Sequence, residues 1–330
     1  MKKTLFSSIF VMCLLLRGPL FGALSNDPNF LNMISKQVAQ RKEGGILNLS
    51  FKSTIDGSIQ PLLLKIPKNY DPATKWPLLV VLHGLKDDSI IVPWIDSVVQ
   101  IGPFGRGDLF YRGMGEKDVF ETLEMAKKIF NVDEDRIYLT GFSMGGCGTF
   151  ELGLKYPYLW AGCVPVCGRL QNPLLIDNGL NLPFWIQAGS QDTVIPASNS
   201  QIVYELAQEK GFSNWRYTEH EEMGHSFKVN WPEIEQWLLK QSREKQAARI
   251  VYSGRIPAKV YWFEVKELID QEKSYRLEAR VDGEQIHLKT DNIESYMIHL
   301  KECPVTPESE PVLFENGIQI DLEENPVILR

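Results

Sequence analysis

The stretch Arg136–Pro157, RIYLTGFSMGGCGTFELGLKYP, changes character at one residue. Up to Gly141 it is a short apolar run, the pattern of a strand buried on both faces. After Ser143 a helix-like pattern begins. Between them lies Gly141-Phe142-Ser143-Met144-Gly145, a G-x-S-x-G pentapeptide. A serine on such a strand-to-helix turn is held forward on a strained backbone, and the flanking glycines let neighbouring chain come close. The helix that follows points its first N–H groups and the positive end of its dipole at developing negative charge. Glycine-rich turns of this kind also bind phosphate, so the partners of Ser143 decide its meaning.

Outward from this turn, strand-like and helix-like segments alternate. A helix over Asn26–Gln40 and two strands near Leu47–Ser53 and Pro61–Ile66 come first. The run WPLLVVLHG ends at His83-Gly84 as a fully buried strand would. Further strand-like runs end near Gly102, Gly141, Gly168 and Gly189. Helix-like stretches fall near Glu116–Phe130, Ser143–Tyr156, Ser198–Gly211 and Pro232–Glu244. This alternation predicts an α/β fold with a doubly wound, mostly parallel sheet. Ligands of such sheets bind beyond the carboxyl ends of the strands. After about Gln246 the period becomes two, with Asp282-Gly283 and Asn316-Gly317 as hairpin turns. Three regions are expected: an export signal over 1–25, a catalytic domain over 26–245 and a small all-β, sandwich-like module over 246–330.

A serine hydroxyl is a poor nucleophile without a base, and the base needs an acid to fix its tautomer. Of the five histidines, His287 and His299 fall on alternating strands of the β module. His83 sits at the first buried strand end, where it is expected to brace the loop. His225, in the loop MGHSF, is favoured as the base over His220. The acid is expected at the strand end in LPFWIQAGSQDTVIP, which gives Asp192, with Asp177 as competitor. Two N–H groups should hold an oxyanion: Met144, just after the serine, and Leu85, just after His83-Gly84.

VVLHG, GRGDLFYRGMGEKDV, DEDRIYLTGFSMGG, AGSQDTVIP and MGHSF together resemble the secreted esterase and prolyl-oligopeptidase-like branch of the α/β-hydrolases. Its relatives include feruloyl esterases, polyhydroxybutyrate depolymerases and dienelactone-hydrolase-like proteins. The resemblance covers roughly residues 50–241. It implies Ser143 as nucleophile, Asp192 as acid and His225 as base, and it calls for no metal or organic cofactor. It departs from the family pattern in LHGLKDDSIIVPW, where many relatives carry more glycines. The reading that follows is an exported serine hydrolase acting on small or polymer-attached carboxylic esters. The alternatives are a prolyl-oligopeptidase-like peptidase and a surface binding protein with a weakly active hydrolase scaffold. The residues before Ser50 are too few for the propeller that such peptidases usually carry, which favours esters.

Lys2 and Lys3 followed by the apolar Leu5–Leu16 and by Ala23-Leu24-Ser25 predict the export signal, and no stable membrane insertion once it is cleaved. Its loss takes away Lys2, Lys3 and Arg17 and moves the net charge from -7 to -10. Such acidity argues against nucleic acid as a partner. Cys147, Cys163, Cys167 and Cys303 are expected to pack rather than pair; four steps of strand separate Cys163 from Cys167 by roughly 13 Å. Arg106-Gly107-Asp108 is expected to be a loop beside the site rather than an adhesion motif, with Asp118 as its anchor. Asp133 and Asp135 are expected in turn and capping positions. Trp94, Tyr111 and Trp185 are expected in the core.

Overall fold

In the computed structural model, which describes residues 23–86, 93, 95–306, 311–320 and 328–329, the apolar runs become the inner strands of one eight-stranded sheet. At one edge β1 (Gly45–Lys52) pairs antiparallel with β2 (Ile59–Ile66), which pairs antiparallel with β4 (Val99–Pro103). β3 (Trp76–Leu82), β5 (Val132–Phe142), β6 (Gly162–Val166), β7 (Phe184–Gly189) and β8 (Trp215–His220) continue it in parallel, in the order β1-β2-β4-β3-β5-β6-β7-β8. Its helices are α1 (Pro28–Gln40), α2 (Met114–Ile129), α3 (Met144–Lys155), α4 (Ser198–Glu209) and α5 (Trp231–Leu238). This is the α/β-hydrolase architecture.

The unbroken apolar run of β3 has a simple cause. Leu78, Val80 and Leu82 enter one core, and Leu79 and Val81 enter another on the opposite face. Both faces of the strand are covered, so both phases of the two-residue period are apolar. The chain leaves β3 for β4 on one side and returns to β5 on the other. Strand order therefore reverses between β3 and β5, where a doubly wound sheet opens a crevice for ligand. In that register Leu82 lies beside Gly141, so His83-Gly84 emerges next to Phe142-Ser143.

One helix boundary differs from the sequence reading. The last helix was expected to reach Glu244, but α5 stops at Leu238. Asp135 draws the next residues away: its carbonyl accepts from Arg243 N, and its carboxylate pairs with Arg243 and Lys245. At the end of the expected signal segment, Ala23–Ser25 runs beside the sheet edge. Ser25 N donates to Lys52 O, Lys52 N donates to Ala23 O, and the buried Ser25 hydroxyl donates to Glu121. Residues 1–22 of that segment, and Trp94, lie outside the described residues. Among the described residues no helix is long and apolar enough to cross a membrane.

The C-terminal part is all β, in two sheets around a core of its own that includes Trp262, Phe263, Leu277, Ile286 and Ile298. One sheet holds β9 (Arg249–Gly254), β12 (Tyr275–Asp282), β13 (Gln285–Asp291), β15 (Val312–Glu315) and β16 (Ile318–Ile320). The other holds β10 (Lys259–Val260), β11 (Phe263–Glu267), β14 (Ser295–Ile298) and β17 (Ile328–Leu329). Asn316-Gly317 closes its hairpin with both residues at positive φ, as expected. The other turn is shifted by one residue. Asp282 still pairs with Gln285, and the turn is Gly283-Glu284 with only Gly283 at positive φ.

Candidate active site

The turn after β5 delivers Ser143 at φ 56° and ψ -113°. L-residues rarely adopt this backbone, which persists only where the surroundings over-determine it. Three contacts do so. Ser143 N donates to Val166 O at the end of β6, Ser143 O accepts from Cys147 N in α3, and neither Gly141 nor Gly145 has room for a Cβ.

The loops after β7 and β8 meet this turn. They are fastened together through the main chain: Ser190 N donates to His220 O, and Gln191 N donates to Met223 O. A Cβ on Gly189 would stand 2.4 Å from Gly224 O, so glycine is required for the two loops to approach. Asp192 and His225, 33 residues apart in sequence, are thereby brought into contact. His225 Nδ1 is 2.7 Å from Asp192 Oδ2, and His225 Nε2 is 2.8 Å from Ser143 Oγ.

The direction of these bonds follows from Asp192. Its side chain is buried, and its Oδ1 accepts from Val194 N and Ile195 N, both at 2.8 Å. Burial raises the carboxyl pKa, but the bond from His225 and the two amides outweigh it and hold the group below its ordinary value. An ionised Asp192 accepts, so His225 Nδ1 carries the proton. Nε2 is then left as the acceptor for the Ser143 hydroxyl. The Phe142 ring lies 5.0 Å from the His225 ring and covers one side of it.

Of the expected site residues, the structure brings Ser143, His225 and Asp192 into one relay. It sets Met144 at the first position of α3, where a backbone N–H has no acceptor within its own helix. It sets Leu85 one residue past Gly84, whose Cβ would be 3.8 Å from Ser143 Cβ. The competitors lie elsewhere. Asp177 pairs with Lys210 and Arg276. His220 bonds Gln187 and packs on Phe227. His287 and His299 bond Gln285 and Glu264 within the β module.

His83 is buried against the loop it was expected to brace, with Nδ1 2.7 Å from Gly84 O and Nε2 2.8 Å from Phe104 O. Tyr111 is buried and donates to His83 O. Trp185 is buried and bonds Thr218. Asp118 accepts from Gly105 N and Arg106 Nε, as a loop anchor should. Arg106 also pairs with Asp56 and bonds Ser53 and Ser58; with its side chain 8% exposed it has little surface to offer a partner. The sequence reading missed the bond from Lys86 N to Asp108 Oδ1. It also missed Glu121, which gathers Ser25, Ser53 and Thr54. No local pattern marks such long-range acceptors.

Among the described residues Cys147, Cys163, Cys167 and Cys303 are free and buried. Cys167 Sγ lies within 4.8 Å of ligand atoms of Asp192 and His225, a donor set of the kind that holds zinc. Burial pushes the Cys167 thiol up to about 12, with Asp192 adding to the shift. Asp192 and His225 use their facing atoms on each other.

Residues 107–257 match the dienelactone hydrolase family, a stretch that includes Ser143, Asp192 and His225. The fold is that of the α/β-hydrolases, and this stretch is similar to the dienelactone hydrolase family. The α/β-hydrolase is 26% identical to a thermostable esterase of known structure, with a TM-score of 0.52, over 60% of this chain and 63% of that one. It is 28% identical over 163 residues to acyl-protein thioesterase 1 of Eremothecium gossypii, covering 48% of this chain and 61% of that protein. It is 31% identical over 124 residues to dipeptidyl peptidase family member 2 of Caenorhabditis elegans, covering 34% of this chain but 15% of that protein. The chain thus spans less than two thirds of the length of the curated relatives it matches.

Proposed function

We propose that the protein is an exported serine hydrolase that cleaves carboxylic esters through an acyl-enzyme. The relay from Ser143 through His225 to Asp192 carries this reading. His225 Nε2 takes the Ser143 proton as Oγ attacks the ester carbonyl. Asp192 holds the ring in the productive tautomer and offsets the charge it gains. The N–H groups of Met144 and Leu85 receive the oxyanion. The collapsing intermediate expels the alcohol, which leaves with the proton from His225. Water then enters, again deprotonated by His225, and releases the acid. Every proton in this sequence passes through His225, and no metal or organic group is needed.

A cavity of about 580 Å³ opens beside the turn, lined by His83, Gly84, Phe142, Phe227, Val229 and Trp231, among others. Its mostly apolar wall suits an apolar acyl or alcohol portion, in the size range of small-molecule sites. Export rests on the basic and apolar start of the chain. A free ester and a polymer-attached ester present the same carbonyl to Ser143.

A second reading is supported by the similarity to a dipeptidyl peptidase: the same relay would cleave an amide beside proline. Turnover of a p-nitrophenyl ester, an acyl thioester and a proline p-nitroanilide separates the two. Efficient ester or thioester cleavage with the anilide at least a thousandfold slower is expected. Strong anilide cleavage with negligible ester turnover would reverse the choice.

A further inference from the structure

The segment His83–Lys86 passes beside the serine turn and is held at two points. His83 Nδ1 stands 2.7 Å from Gly84 O, and Asp108 Oδ1 accepts from Lys86 N at 2.8 Å. These two points flank one residue, Leu85. A peptide unit is planar and trans, so its C=O and N–H point in opposite directions. Fixing Gly84 O therefore fixes the direction of Leu85 N–H. Fixing Lys86 N–H likewise fixes the next peptide plane, and the rotation at Leu85 between the two planes is no longer free. Lys86 itself sits at φ 55°, a left-handed conformation that an L-residue holds only against some restraint. Asp108 supplies a restraint from outside the segment.

We propose that Asp108 is a positioning residue for the oxyanion site: by accepting from Lys86 N it completes, with His83, a two-point clamp that aims Leu85 N–H. This rests on the reading of Ser143 as nucleophile and Leu85 as oxyanion donor. Asp108 itself is held from the far side. Gly105 N and Arg106 Nε, just before it, bond the buried Asp118, and Gly107 N bonds Phe104 O. The clamp takes the His83 tautomer whose one N–H, on Nδ1, donates to Gly84 O, and the Phe104 ring stacks on the His83 ring, so the 104–108 loop packs on both ends of the clamp. The role given to Asp108 is distinct from that of its neighbour Arg106, which points into the Asp56, Ser53 and Ser58 cluster.

A fixed donor acts on the transition state more than on bound substrate, so the two can be separated. The test compares wild type, D108A and D108N by ester kinetics, inhibition by phenylboronic acid and amide hydrogen exchange of the 83–86 peptide. D108A should lower kcat about tenfold or more with KM within about twofold, since removing an oxyanion donor outright costs about a hundredfold or more. It should weaken boronate inhibition by a similar factor and speed exchange in 83–86. D108N keeps an oxygen that accepts the same N–H and should stay within about threefold of wild type. Unchanged exchange in D108A would overturn the clamp. Faster exchange with wild-type kcat and boronate affinity would overturn its role in the reaction. Equal losses in D108A and D108N, accompanied by a fall in Tm, would show a structural effect and overturn it as well. Failure of the Ser143 reading looks different: wild type itself would neither turn over ester nor bind boronate.

Discussion

Gly145 meets the carbonyl oxygen of Leu82 so closely that a Cβ built on the glycine would stand 2.1 Å from it. The helix after Ser143 therefore rests directly on the end of β3. The contact is backbone against backbone, with no flexible side chain to give way. It joins the two strand ends between which the sheet order reverses, and so it sets the distance between Ser143 and the 83–86 segment.

G145A should accordingly fail to fold, or lose well over 3 kcal/mol, as overpacking against rigid backbone does at the upper end. G113A is the contrast. Gly113, unlike the helical Gly145, is at positive φ, but a Cβ there meets nothing within 4 Å, so its cost should be that of the conformation alone, about 1–3 kcal/mol. Urea midpoints of the two variants check this. Similar midpoints would mean that the turn relaxes and the contact is not restrictive.

Asp192 and Asp177 were the two candidates for the acid, and they have different partners: His225 for Asp192, Lys210 and Arg276 for Asp177. D192N should lower kcat by about 10⁴ with the fold intact, because the amide imposes the wrong tautomer on His225. D177N should leave kcat within about twofold and lower Tm slightly, since Lys210 and Arg276 lose a charged partner at the protein surface. Steady-state kinetics and thermal melts on both variants decide the assignment.

Asp118 predicts a pH signature. Burial pushes its carboxyl up to about 6 from 3.8, with the Gly105 amide and Arg106 pulling the other way. The folded chain thus keeps a proton that the unfolded chain has released between those values. The contribution of Asp118 to stability is then largest below about pH 4 and falls as pH rises through 6, by at most about 3 kcal/mol. The Tm of wild type minus that of D118N should shrink from pH 4 to pH 7. A difference that widens with pH would mean that Arg106 holds Asp118 ionised.

A buried amide fastens the β module to the hydrolase domain. Asn178 donates to Leu154 O and Ser253 O and accepts from Ser253 N. Tyr252 OH adds a bond to Lys155 O. N178A strands these buried groups and should cost about 2–3 kcal/mol, with kcat unchanged because the amide is not part of the relay. Chemical denaturation and ester turnover measured on the same preparation test both halves.

Much of the fold was legible because burial writes itself into composition. WPLLVVL is apolar at every position because both faces of β3 are covered, and the period-two segments after Gln246 are apolar on one face because their sheets share one core. Ser143, Asp192 and His225 were legible because each sits just past a strand end beside glycines that the approach of the loops requires. What was not legible depends on distant partners. The early end of α5 is set by Asp135, about a hundred residues away. Asp108 and Glu121 act through acceptor oxygens aimed at main chain far off in sequence, and no periodicity encodes that. The hairpin at Gly283 shifted by one residue because glycine serves equally well in either turn type, and strand register chose between them.

The central claim is that Ser143 is an activated nucleophile. Reaction with a fluorophosphonate probe, followed by mass mapping, tests it most directly. One adduct per chain on the Ser143 peptide is expected, with S143A unreacted and H225A slowed by several orders of magnitude. No adduct on wild type, or equal labelling of S143A, would contradict the account.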